Sequence, residues 1–127
     1  MTKRKELVAE YDNELLIEER PIKNHGLYAD NVVWINKNLN TASKYCILAE
    51  EVGHYQTSHG DILDQTSLDN QKQELKARRW AYEKILPIGL IRFALNDGHT
   101  EIWDMAEYLD VNENFLREAL KYYGLLT

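Results

Sequence analysis

A chain of 127 residues that is 44% hydrophobic can build one compact domain with a core, and is too short for two of ordinary size. Its formal charge of -6 and pI near 5.2 argue against a general affinity for nucleic acid or anionic membrane, which need an excess of Lys and Arg. Cys46 is the single cysteine, no run approaches the ~20 apolar residues that span a bilayer, and Met1 to Lys5 leads into a charged stretch unlike a signal peptide, so a cytoplasmic chain is expected.

Residues 2 to about 13 carry Leu7, Val8 and Tyr11 at helical spacing and predict a short amphipathic helix. Lys3-Arg4-Lys5 and Lys76-Arg78-Arg79 read as solvated helix faces. Leu15 to Pro21 and Val32 to Asn36 are short β-branched or aromatic runs. Asn24-His25-Gly26 and Asp30-Asn31 supply turn chemistry between them, so a small antiparallel sheet of two or three strands is predicted. Asn40-Thr41 offers an N-cap to an unbroken helix from Ala42 to about Thr57, whose apolar side holds Tyr45, Leu48, Ala49 and Val52. A polar stretch to Asp69 precedes a second long helix from about Asn70 to Leu86, closed by Pro87. Ile88 to Ala94, Ile102 to Leu109 and Glu113 to Tyr123 read as three short helices. The expectation is an α+β domain over residues 1–127, with sheet and paired long helices in 1–87 and a helical tail in 88–127.

Chemistry concentrates in Glu50-Glu51-Val52-Gly53-His54, the zinc-protease pattern H-E-x-x-H with Glu in place of the first His. Positions i and i+4 share a helix face, so Glu50 and His54 can offer two donors to one ion, with Glu51 beside it as the general base toward water. A hydrolytic zinc site takes three protein ligands. The favoured third is Glu74, in the pattern Glu74-x-x-Ala77-x-x-Trp80-Ala81, whose small residues at 77 and 81 permit close helix packing. Alone, a Glu in a first helical turn reads more simply as a charge placed near a helix N-terminus.

Three segments in order resemble the ImmA/IrrE-type metallopeptidase domain, in particular its short phage and mobile-element members. Leu48 to Tyr55 is similar to the active-site helix, Gly26-Leu27-Tyr28 with Val32 to Ile35 to the hairpin before it, and Glu74-x-x-Ala77 through Pro87 to the second helix. The tail from Ile102 to Gly124 is similar to the family's helical end. The resemblance implies Glu50, His54 and Glu74 as ligands of Zn2+ and Glu51 as the catalytic acid/base. It departs at Glu50, where better-known members carry His. Two carboxylates and one imidazole make the ion a poorer Lewis acid and suit Mn2+ or Fe2+ better than a nitrogen-rich set does.

His59 comes five residues after His54, not the six of a three-histidine site, so a place at the cleft mouth is expected for it. Tyr55 or His59 is a candidate for the oxyanion, and Asp61 or Asp64 for a hydrogen bond to His54, with a loop role for either aspartate equally open. Residues 104–123 have helix-turn-helix spacing, but from Asp97 to Thr127 seven acidic residues stand against two basic ones. No direct nucleic-acid contact is expected. What the resemblance implies is a zinc-dependent endopeptidase acting on a repressor protein of a phage or mobile genetic element, relieving repression. The alternative is a catalytically weak or inactive scaffold that controls a repressor by binding alone.

Overall fold

In the computed structural model, which describes residues 2–58 and 67–126, the chain runs α1 (Lys3–Tyr11), β1 (Leu16–Arg20), β2 (Gly26–Ala29), β3 (Val32–Asn36), α2 (Thr41–Thr57), α3 (Ser67–Ile85), α4 (Ile88–Asn96), α5 (Ile102–Leu109) and α6 (Glu113–Tyr122). The architecture is α+β, as the hydrophobic patterning predicts. Side-chain caps fix where three helices start. Thr2 accepts from the Lys5 N–H, Asn40 from Ser43 and Asn112 from Phe115. Pro87 interrupts the ladder and separates α3 from α4.

The three strands lie in the order β1-β3-β2. β2 and β3 form an antiparallel hairpin whose two turn residues, Asp30 and Asn31, both have positive φ (49° and 65°), the type I′ geometry that matches strand twist. The other pairing differs from the expected antiparallel sheet. β1 pairs in parallel with β3, Leu16 opposite Val32 through Arg20 opposite Asn36. The physical reason is the length of residues 21–31: they form β2 and still return the chain to start β3 beside the start of β1.

Val33 and Ile35 turn inward from the sheet and are buried, whereas Trp34 and Leu27 stay largely exposed. Inward residues join one buried cluster that runs from Leu7 and Tyr11 of α1, through Leu48, Ala49 and Val52 of α2 and Ala81 and Leu86 at the end of α3, to Phe115, Leu116 and Leu120 of α6. Burial of such a cluster is the main stabilising term for a chain of this size. The most extensive contact between elements is that of α2 with α3. Gly53 makes it close, because a Cβ there would lie 2.4 Å from the Ala77 carbonyl oxygen.

The tail is fastened to the end of α3. The Tyr123 hydroxyl donates to the carbonyls of Leu86 (2.9 Å) and Tyr82 (3.4 Å), and the Tyr82 and Phe115 rings meet edge to face at 5.2 Å. Before α5, His99 Nδ1 lies 2.7 Å from the Asp104 carboxylate and the imidazole stacks on Tyr108, which holds the bend after Gly98. Among the described residues, no helix is long and apolar enough to cross a membrane.

Candidate active site

Three side chains from two helices meet at one cleft. His54 Nε2 lies 3.0 Å from the Glu74 carboxylate and 4.0 Å from that of Glu51. The cleft, about 680 Å³, is walled on its other side by the hairpin, from Asn24 and Gly26 to Asn31. Tight α2–α3 packing at Gly53 brings Glu74 within reach of His54, since Glu74 stands one turn before Ala77 on α3.

Among the described residues, Glu51 is the charged residue that is buried, at 9% exposure. Burial pushes its carboxyl up to about 7, and the neighbouring Glu74 and Glu50 carboxylates push the same way. A carboxyl that titrates near neutrality, inside a cleft and beside an imidazole, is in the range for general acid and base work.

Gly26 is what lets the hairpin lie on Glu51. A Cβ at that position would fall 2.5 Å from Ile47 Cγ2, 3.1 Å from Glu51 Cγ and 3.2 Å from Glu51 Oε2. Turn chemistry alone accounts for Gly26 in the sequence and says nothing of Glu51. A glycine at the start of a strand, where a backbone passes close to another group, is the signal that marks its role here. Gly26→Ala is expected to displace the Glu51 carboxyl and lower any turnover that depends on it about tenfold or more, and to lower thermal stability by about 1–3 kcal/mol, because Ile47 Cγ2, on a β-branched residue of α2, can yield only by leaving its χ1 rotamer. Circular dichroism melts and peptide-hydrolysis rates measured side by side check this.

β2 is an edge strand. The His25 carbonyl accepts from Asn36 N–H at 2.9 Å, so the ladder bonds of β2 fall on residues 25, 27 and 29. The N–H and C=O groups of Gly26 and Tyr28 therefore point to the free edge of a strand that lines the cleft.

Glu50 stands elsewhere. Its carboxylate lines a neighbouring cavity of about 510 Å³ with His25, Arg78, Tyr82 and Glu118. Burial raises its pKa, the Arg78 charge opposes that rise and Glu74 adds to it. Lys76, Arg78 and Arg79 are exposed, as expected of a solvated helix face, and Arg78 is at the same time the cation whose charge acts on Glu50. Tyr55 packs its ring against Tyr11 and Tyr28, and its hydroxyl donates to Glu14 at 3.4 Å. His59, Asp61 and Asp64 lie outside the described residues. Among those described, no group of three or more His, Cys, Asp or Glu side chains stands in ion-holding geometry.

The model of a peptidase family, Peptidase M78, described as the IrrE N-terminal-like domain, matches residues 9–121. No curated protein matches the chain.

Proposed function

The chain belongs to the IrrE N-terminal-like family of M78 peptidases, and from that premise we propose that it is a metal-dependent endopeptidase with Glu51 as its acid/base. The observation that carries this reading is the meeting of Glu51, His54 and Glu74 at one cleft lined by the edge strand β2. In chemical type the donors suit a divalent ion: an imidazole and a carboxylate, already adjacent, would hold it. A third protein donor completes a hydrolytic site, and Glu50, one turn before His54, is the candidate that the motif supplies.

When bound, such an ion polarises the scissile carbonyl and acidifies water. The chain's own residues do the rest. Glu51 accepts a proton from the attacking water on a carboxylate oxygen and then delivers it to the nitrogen of the leaving amine. Gly26 and Tyr28 hold an extended peptide through their free backbone groups, which places a peptide bond above Glu51. Zn2+ is the ion proposed, with Mn2+ or Fe2+ as substitutes. The substrate proposed is a repressor protein of a phage or mobile genetic element, met in the cytoplasm; its support is the family likeness.

A second reading, favoured by the Glu50 carboxylate lying on the Arg78 side, is a scaffold that captures a repressor and does not cut it. Metal analysis separates the two. As an endopeptidase, the protein retains about one ion per chain after dialysis, and His54→Ala, Glu74→Ala and Glu50→Ala each lose it. A stable complex with uncut repressor, and metal content indifferent to Glu50→Ala, would establish the scaffold instead.

A further inference from the structure

The outer face of the sheet, turned away from α2, is apolar and open. Directly opposed residues on neighbouring strands share a face, so the pairing of Leu16 and Ala29 with Val32 puts these three in one row, and the pairing of Glu18 and Leu27 with Trp34 makes the next. Leu16, Leu27 and Trp34 are 57%, 41% and 38% exposed. The charges on this face answer each other, Glu18 accepting from Arg20 at 2.8 Å, so what it offers a partner is aliphatic and aromatic surface.

Two observations say what belongs there. The area is small: three strands of four or five residues present roughly 250 Å², well under the ~800 Å² per partner of a stable dimer. The face is also continuous with the Glu51 cleft, because Leu27 and Ala29 line that cleft together with Gly26 and Tyr28. An extended peptide held at the free edge of β2 adds a fourth strand, and its side chains alternate between the two faces. Those beside Gly26 and Tyr28 turn inward, toward Glu51 and the ring contact of Tyr28 with Tyr55. Those beside Leu27 and Ala29 turn outward and extend the two apolar rows.

We propose that the outer sheet face selects the substrate: alternate residues of the bound segment, flanking one that turns inward, carry β-branched or aromatic side chains that pack on Leu27 and Ala29, with Trp34 and Val32 behind them. This rests on the endopeptidase reading and narrows its substrate to a segment of strand-like alternation. β-Branched and aromatic side chains fit a pleated surface and gain from cross-strand neighbours of the same kind. A charged side chain in either place would give up water to a surface whose own charges are already paired.

Two labelled peptides of one composition test this, one alternating Val or Tyr with Ser or Thr, the other carrying the same residues in apolar and polar blocks, both with Lys at the ends for solubility. They are titrated into the full-length Glu51→Gln chain with Zn2+ present, so that binding is read without cleavage. The alternating peptide should bind about five- to tenfold more tightly, slow amide exchange at Gly26 and Tyr28, and shift the Trp34 indole resonance. Leu27→Ser should weaken it about two- to fivefold. Leu27→Glu should transfer the preference to a peptide with Lys in the alternate places, a reversal that damage to the strand would not produce. Leu125→Ser, at an exposed leucine of the tail, should leave the affinity as it was. Equal affinity for the two peptides, no reversal in Leu27→Glu, or a micromolar self-association that Leu27→Glu abolishes would overturn the assignment, the last by giving the face to a second copy. Preferred binding of an alternating peptide that the wild type never cuts would refute the endopeptidase and leave the selecting face in place, whereas cutting of both peptides at equal rates would do the reverse.

Discussion

Glu51→Gln is expected to abolish peptide hydrolysis, by about 10²–10⁴-fold, and at the same time to make the ion-free protein more stable at neutral pH. The two effects share a cause. Glutamine keeps the shape of the side chain but can neither take nor return a proton. In the wild type, burial holds the Glu51 carboxyl up to about 7, against an ordinary value of 4.5. A carboxyl raised in this way contributes stability that is fully present below pH 4.5 and is lost as the pH climbs through about 7, because the fold favours the neutral form and the unfolded chain favours the ion. The loss amounts to on the order of 3 kcal/mol at pH 8. The uncharged amide of the variant has no such dependence. Melts in chelator at pH 5 and pH 8 should show the wild type falling further than the variant, and added Zn2+ should restore the wild type by bringing a positive charge to the carboxylates. Parallel pH profiles for the two proteins would mean that Glu51 is not strained by its surroundings, and retained hydrolysis would remove it from the mechanism.

Helix positions are legible in the sequence because their signals are local. Asn40, Asn112 and Pro87 act on atoms within four residues of themselves, and each sets a helix boundary in the structure. The parallel pairing of β1 with β3 is not legible, since nothing in Leu16 to Arg20 states which neighbour its edge meets. The candidate site shows the same division. Helical spacing allows His54 to share a face with Glu50 at i,i+4 or with Glu51 at i,i+3. What selects in the structure is the direction from which other segments arrive. β2 comes down on Glu51 through Gly26, Glu74 comes across to His54, and Arg78 with α6 encloses Glu50 on the opposite flank. Those approaches are tertiary, so one sequence leaves Glu50 and Glu51 nearly equivalent where the fold does not.

Gly53→Ala is expected to be the most damaging methyl that can be added to this fold. In most helices the exchange is favourable by about 1 kcal/mol, because alanine restricts the unfolded chain and glycine does not. Here the new Cβ would lie 2.4 Å from the Ala77 oxygen, 3.1 Å from its carbonyl carbon and 3.2 Å from its Cα. All three are backbone atoms, so no rotamer change relieves the contact. The α2 and α3 axes must separate, and the contact they share is the most extensive between any two elements. A net loss of about 2 kcal/mol or more is expected in urea unfolding. The same separation carries His54 away from Glu74, now 3.0 Å apart, so ion affinity should fall in the fraction that remains folded. Gly89→Ala on α4 provides the contrast. Nothing lies within 4 Å of its added Cβ, and it should stabilise by about 0.5–1 kcal/mol with ion binding unchanged. If both variants unfolded at the wild-type urea concentration, close packing at Gly53 would not be what holds His54 beside Glu74.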